Sequence, residues 1–295
     1  MSIRIDKITS GKFGNQILQY NSLMQISFNY NIIPSCCDWK NGNFFKEIIS
    51  YIPSKKNKKL LFCKKLIENQ DLDFKNYDYF IDDPANCLHN IFFYITKTNP
   101  RDFLKLKDEY KPIFHDNIIY IGIHFRGCDI ISADGNCGRE IHEFEYYKSS
   151  IDYIINNKIT NNNYLFILCS DDKNFYSFIK TINYLKNNNY NYELGPSTSN
   201  QNNNFIYDWG LLSECDILIN SSSTFCITAG FIGKKNKFII HSLEWINKNK
   251  NHTNWNNNVN GKIQEYNIIE FRYTFDNFWI DILNNNNYYY CNILI

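Results

Sequence analysis

Three apolar runs, each ending in polar residues, constrain the fold of this chain more than any other feature of its sequence. They are residues 118–123, 164–168 and 216–219. Runs of this length that are bounded by polar residues are typical of buried strands in a parallel sheet. Because helical sequence follows each run, the pattern predicts an α/β fold.

The residues that follow these runs carry complementary chemistry. The first run leads to the cation Arg126, the second to the carboxylates Asp171 and Asp172, and the third to four hydroxyl side chains at 221–224. In open parallel sheets ligands bind outside the carboxyl ends of the strands. A cation, carboxylates and hydroxyls placed together would hold a sugar nucleotide, so we predict such a ligand there.

Composition narrows the class of protein. The chain has 295 residues, of which 44% are hydrophobic, and a formal net charge of +1. These values predict a soluble globular protein and argue against bulk binding to nucleic acid or to an anionic membrane. The absence of a membrane-spanning run or a signal peptide predicts a cytoplasmic location. The ten cysteines form no zinc pattern, so we expect reduced thiols in the core.

A charged stretch with two prolines, Pro100 and Pro112, is the candidate domain boundary. We therefore predict one lobe over residues 1–112 and a second over 113–295. In the second lobe predicted strands and helices alternate, with helices from Phe144, over 174–186, from Trp209 and from Phe225, and a last strand at 237–240.

The motif Gly-Lys-Phe-Gly-Asn-Gln at 11–16 joins a short predicted strand to a predicted helix. Free N–H groups at such a turn and the positive end of the helix dipole could hold an anion or sugar hydroxyls. An ordinary tight turn explains the same pattern equally well. We place Gly14 and Asn15 in the predicted donor-binding set.

The motif His-Phe-Arg-Gly-Cys-Asp occupies residues 124–129. Strand alternation puts His124 and Arg126 on one side, and the following turn can bring Asp129 close to them. Arg126 could fork two N–H groups onto a phosphate, whereas a structural pair with Asp129 is the alternative. We predict no metal at His124, because no second histidine lies at ligand spacing.

The other two clusters lie where strands pass into helices. Asp171 could cap the next helix or bind a ligand, since Asp is a preferred N-cap residue. Simple capping by the run 221–224 would need one hydroxyl, whereas four hydroxyls with backbone amides make an anion seat. We therefore add Asp171 and Ser222 to the predicted donor-binding residues.

Taken in order, these segments resemble the fucosyltransferase superfamily that uses GDP-fucose, and the α1,2-fucosyltransferases (glycosyltransferase family 11) most closely. Residues 11–16 resemble the opening motif of α1,2-fucosyltransferases and of protein O-fucosyltransferases. Residues 124–129 are similar to their His-x-Arg-x-x-Asp motif, and residues 208–225 resemble their third motif. The resemblance implies a GT-B-like fold of two facing Rossmann-like domains with largely parallel sheets, the first lobe on the acceptor side and the second binding the nucleotide sugar.

The resemblance also implies a reaction and roles for residues. L-fucose would pass from GDP-fucose to a glycan hydroxyl, in an α1,2 linkage, with inversion at the anomeric carbon and with no metal or other cofactor. Arg126 would grip the pyrophosphate with His124 beside it, and Asp208 would touch the guanosine. The residues implied to line the β-phosphate are Ser223, Thr224 and Phe225.

Inversion requires a group that takes the proton of the acceptor hydroxyl. Asp134 falls where α1,6-fucosyltransferases carry a candidate base, and we take it as the predicted catalytic base. Asp129 is the competing candidate, although a role in holding Arg126 fits it better.

Two departures from the α1,2 pattern leave other activities open. Gly127 stands where a second arginine is usual, and Cys226 and Ile227 replace a Trp-Trp pair. Protein O-fucosyl transfer, transfer of another nucleotide sugar, and a non-catalytic glycan-binding or nucleotide-binding module are the alternatives. A metal-dependent glycosyltransferase would need an Asp-x-Asp pair after a strand, and the match at Asp71 and Asp73 follows none.

Overall fold

The structure is a computed structural model that describes residues 2–5, 8, 12–36, 39–48, 57–61, 77–81, 100–127, 142–160, 163–199, 205–221, 223–233, 237–242, 262–263 and 268–273. Its described residues form two compact units. Those up to Lys107 belong to the first unit and those from Asp108 onwards to the second. The change of unit falls inside the stretch between the two prolines.

The first unit contains a parallel sheet in the order β2-β1-β4-β3. Its elements are β1 (Ser2–Ile5), α1 (Phe13–Tyr30), β2 (Ile33–Cys36), β3 (Asn57–Leu61) and β4 (Tyr77–Ile81). The predicted strand and helix at the start of the chain are confirmed. The sequence did not predict β3 and β4, because lysines at 58 and 59 and an aspartate at 78 interrupt their apolar character.

The second unit contains a larger sheet in the order β10-β11-β9-β8-β5-β6-β7. Five of its strands are parallel, and β10 and β11 join antiparallel at one side. The strands are β5 (Ile119–Phe125), β6 (Tyr164–Ser170), β7 (Tyr192–Leu194), β8 (Ile217–Ile219), β9 (Lys237–Ser242), β10 (Lys262–Ile263) and β11 (Ile268–Tyr273). The α/β class with largely parallel sheets is therefore confirmed.

Helices separate most of these parallel strands along the chain. They are α2 (Phe144–Asn157), α3 (Tyr176–Asn187), the single turn α4 (Pro196–Ser199), α5 (Phe205–Glu214) and α6 (Thr224–Ile232). The predicted helices at these places are confirmed, although α5 begins four residues before Trp209. Within the described residues, no helix combines the length and the apolar character needed to cross a membrane.

The order of the five parallel strands reverses next to β5. From β5 the chain builds outwards through β6 to β7, and it then returns to the other side of β5 to form β8 and β9. The helices that follow β5 and β8 thus leave the sheet on opposite sides of a crevice, which is where open α/β sheets bind their ligands. The expected ligand site of the described sheet therefore lies at the carboxyl ends of β5 and β8.

Successive side chains of β5 point to opposite faces of the sheet, and each face packs against a different helix. Ile121, Ile123 and Phe125 belong to the core that includes Tyr147 of α2, and all four are fully buried. Gly122 faces the opposite way, where an added Cβ would lie 2.8 Å from a methyl group of Leu212 in α5. A larger residue would push this helix away, and the same alternation places His124 on the α5 face.

The cysteines that the structure describes are free and buried. They are Cys36, Cys169, Cys215 and Cys226. For these four the expectation of reduced core thiols is confirmed.

Candidate functional site

Three polar residues come together at the carboxyl edge of β5 and β6. β5 ends two residues later than predicted, so His124 lies within the strand and pairs in register with Cys169 of β6. Arg126 directly follows β5, and Asp171 directly follows β6. Since the two strands are parallel and in register up to their ends, these two side chains belong to the same corner of the sheet.

A hydrogen bond joins β5 to the segment after β8. The Nδ1 atom of His124 lies 2.5 Å from Oγ of Ser221, and both residues are buried. The ring of Phe225 in α6 lies 5.3 Å from the imidazole, centroid to centroid. The bond therefore spans the switch point, and it gives a direct role to Ser221, a residue of the hydroxyl run that is not in the predicted site set.

His124 is neutral at physiological pH. Burial, together with the positive charge of Arg126, lowers the pKa of His124 to about 3. This shift also indicates that the guanidinium lies close to the imidazole. The only full positive charge in this pair is therefore that of Arg126, which is half-buried.

The buried neutral imidazole predicts a specific pH dependence of stability. In the unfolded chain His124 takes up a proton near pH 6.5, whereas the folded protein resists protonation down to about pH 3. The contribution of this residue is therefore present above pH 6.5 and lost as the pH falls, by up to about 1.4 kcal/mol per pH unit. Between pH 7 and pH 5 the loss amounts to about 2 kcal/mol.

His124→Asn should remove this dependence. We expect urea unfolding to show that the stability gap between wild type and H124N narrows by this amount on going from pH 7 to pH 5. H115N, which removes an exposed imidazole, is the control. The difference in stability between wild type and H115N should be the same at pH 7 and at pH 5. Parallel stability curves for wild type and H124N would contradict the assignment.

Gly127 holds the loop after β5 against the end of β6. Its N–H donates to Oδ1 of Asp171 at 2.7 Å. A Cβ on this glycine would lie 2.9 Å from Cβ of Asp172 and 3.1 Å from Cβ of Phe175. This close approach explains why glycine, and not a second arginine, follows Arg126 here.

The hydroxyl run both caps a helix and keeps donors available. Ser223 is the N-cap of α6, and its Oγ accepts a hydrogen bond from the N–H of Phe225 at 3.3 Å. A hydroxyl that accepts in this way still has its proton to donate to an anion. Ser223 is buried and Thr224 and Phe225 are half-buried at this helix start, so hydroxyls and helix N–H groups lie together there.

Asp208 is a buried carboxylate with several hydrogen-bond donors around it. Its side chain is only 3% exposed. It accepts hydrogen bonds from the N–H of Ser197 at 2.9 Å, from the hydroxyl of Ser197, and from the hydroxyl of Thr198 at 3.2 Å. Burial raises the pKa of Asp208, although these hydrogen bonds act in the opposite direction. The carboxylate thus supports α4, and the guanosine contact stays a prediction.

The turn that Asp208 supports is attached to β6. The hydroxyl of Thr198 accepts from the N–H of Ser170 at 2.8 Å, and the N–H of Gly195 donates to the carbonyl of Leu168 at 2.8 Å. An added Cβ on Gly195 would lie 2.6 Å from Oδ1 of Asp208. Sequence reasoning missed this turn, because it is a single turn directly after β7 and Pro196 is its only local signal.

The first motif begins a helix in the first unit. Gly14 and Asn15 are buried in the first turn of α1, where N–H groups lack partners within the helix. The side-chain oxygen of Gln16 accepts from Nε1 of Trp39 at 2.9 Å and from Nδ2 of Asn41 at 2.8 Å. The last residue of the motif therefore anchors the segment that follows β2.

Some predicted residues lie outside the described part of the chain. They are Asp129, Asp134 and Ser222, together with the Asp-x-Asp pair at 71 and 73. Among the residues that are described, no group of three or more His, Cys, Asp or Glu side chains is placed to hold a metal ion.

Comparison with known proteins shows similarity in structure but not in sequence. No protein-family model matches the chain, and no curated protein matches it. The fucosyltransferase NodZ from Bradyrhizobium is similar with a TM-score of 0.50 and 12% identity, over 81% of this chain and 94% of NodZ. A mutant of FUT1 from Arabidopsis thaliana, solved in complex with GDP, is similar with a TM-score of 0.52 and 12% identity, over 81% of this chain and 70% of that one. The chain therefore has an α/β fold similar to that of solved fucosyltransferases.

Proposed function

We propose that this protein is a glycosyltransferase that moves L-fucose from GDP-fucose to a hydroxyl group of a glycan. The observation that carries the proposal is the corner at the switch point, where His124 contacts Ser221 and Arg126 follows β5. This is the place where an open α/β sheet binds its ligand. A fold similar to that of two fucosyltransferases supports the same reading.

The charges at this corner suit a nucleoside diphosphate as the leaving group. A pyrophosphate needs a fixed cation and N–H or O–H donors, and Arg126 and the start of α6 supply both. His124 is neutral, so it adds a hydrogen-bonding group without adding charge. Donors held rigidly in place stabilise the charge that develops as the diphosphate departs.

The proposed reaction is a single displacement with inversion and without a metal. The acceptor oxygen forms a bond to the anomeric carbon of fucose while the bond from that carbon to the β-phosphate oxygen breaks. The bonding electrons leave with GDP, whose new charge Arg126 neutralises. The proton of the acceptor hydroxyl passes to a carboxylate, for which we propose Asp134. The product linkage is proposed to be α1,2.

A thermal-shift panel tests the nucleotide class. GDP and GDP-fucose should raise the melting temperature, whereas UDP-glucose and ADP should not, since a ligand at 100 times its Kd adds about 2.7 kcal/mol of stability. Hydrolysis of GDP-fucose, compared with GDP-mannose and in the presence of a chelator, then tests the sugar and the proposed metal independence. Stabilisation by UDP-linked donors alone would overturn the proposal.

Asp134→Asn should separate binding from chemistry. Because the amide cannot take a proton, we expect transfer to fall by a factor on the order of 100 to 10,000 while GDP affinity stays within twofold. Titration calorimetry with GDP and a donor-turnover assay measure the two effects. D116N provides the control, because Asp116 is exposed and precedes β5 at the opposite, amino edge of the sheet. Near-normal turnover of D134N would rule Asp134 out as the base.

A further inference from the structure

The hydroxyl of Ser221 is buried and forms a hydrogen bond with His124. It is 3% exposed and lies 2.5 Å from Nδ1 of His124. In the part of the chain that the structure describes, this nitrogen is its only hydrogen-bonding partner. A buried hydroxyl proton requires an acceptor, so the hydroxyl of Ser221 donates to Nδ1.

The direction of this bond determines where His124 carries its proton. A neutral imidazole has one N–H and one lone pair, and Nδ1 uses its lone pair to accept from Ser221. The proton of the neutral ring is then on Nε2. Among the described residues Nε2 has no hydrogen-bonding partner.

We propose that Ser221 is a positioning residue that fixes His124 as its Nε2–H tautomer, so that the ring offers a hydrogen-bond donor to an oxygen of the bound nucleotide. This inference rests on the proposed function for the identity of the ligand, but not for the tautomer. An Nε2–H group cannot accept a proton, and Nδ1 is occupied. His124 therefore binds and does not act as the general base, which leaves proton transfer to a carboxylate.

The tautomer can be read directly in the nucleotide-free protein. We would label the histidine rings with ¹⁵N, record long-range ¹H–¹⁵N correlations near pH 7, and assign His124 by the signals that H124N lacks. The expected wild-type pattern is that of the Nε2–H form. Ser221→Ala should change it to a mixture or to the Nδ1–H form, whereas S221T, which retains the hydroxyl, should preserve it. An Nδ1–H pattern in wild type, or an unchanged pattern in S221A, would overturn the proposal.

Nucleotide affinity supplies the second readout. We expect S221A to weaken GDP binding about 3- to 10-fold, the effect of one hydrogen bond, and S221T to restore it. S213A is a matched control, because Ser213 is also 3% exposed and its hydroxyl donates to the carbonyl of Gly210 outside the site. Weaker GDP binding in S221A with an unchanged tautomer would mean that Ser221 touches the nucleotide itself, and the proposal would fail.

The two experiments separate this inference from the proposed function. If wild-type protein does not bind GDP, the proposed function fails and the tautomer measurement still decides the role of Ser221. If S221A does not fold, the wild-type pattern and that of S221T decide it, since both must show the Nε2–H form.

Discussion

Replacing Arg126 with alanine should weaken GDP binding by about 30-fold to several thousand-fold, the equivalent of about 2 to 5 kcal/mol. The guanidinium is half-buried at the end of β5, next to a neutral imidazole, so a bound pyrophosphate would find its main counter-charge there. Loss of that charge leaves phosphate oxygens desolvated and unpaired. Titration calorimetry with GDP measures the effect.

Two further variants sharpen this test. R126K keeps the charge but loses the planar fork, so we expect an affinity between those of wild type and R126A. K158A removes another half-buried cation, whose Nζ lies 4.5 Å from the ring centroid of Phe238 at the start of β9. This control lies at the amino edge of the sheet and should bind GDP as wild type does. An R126A protein that binds GDP as tightly as K158A does would remove the basis of the proposed function.

Replacing Asp208 with alanine should lower the free energy of unfolding by about 2 to 4 kcal/mol, because two donors of the half-buried Ser197 would lose their acceptor, at about 1 to 3 kcal/mol for a group left unpaired, while the hydroxyl of Thr198 would keep only a longer bond to the carbonyl of Ser170 at 3.3 Å. The donors are the N–H and hydroxyl of Ser197 and the hydroxyl of Thr198. A loss of this size is a large fraction of the stability of an ordinary domain. Urea unfolding measures it.

Variants of the same residue type separate support of the turn from ligand contact. D208N should lose less stability than D208A, because the hydroxyls can rotate to accept from the new amide. D172A is the control, since within the described part of the chain the Asp172 side chain makes one hydrogen bond, from the exposed N–H of Asn174 at 2.9 Å, and its loss costs about 1 kcal/mol. A D208A protein as stable as wild type that fails to bind GDP would show that Asp208 is a direct nucleotide ligand, as the resemblance implies.

Some strands of the second unit could be predicted from the sequence, and others could not. β5, β6 and β8 were predictable, because a strand covered on both faces must be apolar throughout and leaves a continuous run. β7 was not, since it is three residues long and lies at the side of the described sheet, with Glu193 and Leu194 exposed. β3 escaped prediction for a related reason, because its lysines hide the strand pattern.

In the candidate site, the positions of the polar residues could be predicted from the sequence, but their hydrogen-bonding partners could not. The positions of Arg126 and of the hydroxyl run after β5 and β8 were predictable, because the residues that follow an apolar strand can be identified from the order of residues alone. The partner of each side chain was not. His124 and Ser221 are 97 positions apart, and only the register of β5 beside β8 brings them within hydrogen-bonding distance.

By itself, the sequence determined the α/β class, the main parallel strands and the polar groups that follow them, since these depend on local apolar periodicity and on residue type. Tertiary structure alone decided that the strand order reverses between β5 and β8, that Ser221 contacts His124, and that the carboxylate of Asp208 is used by α4. Strand order and burial arise from packing between distant segments. The protonation of a buried imidazole and the partners of a buried carboxylate depend on that packing, and no local pattern encodes them.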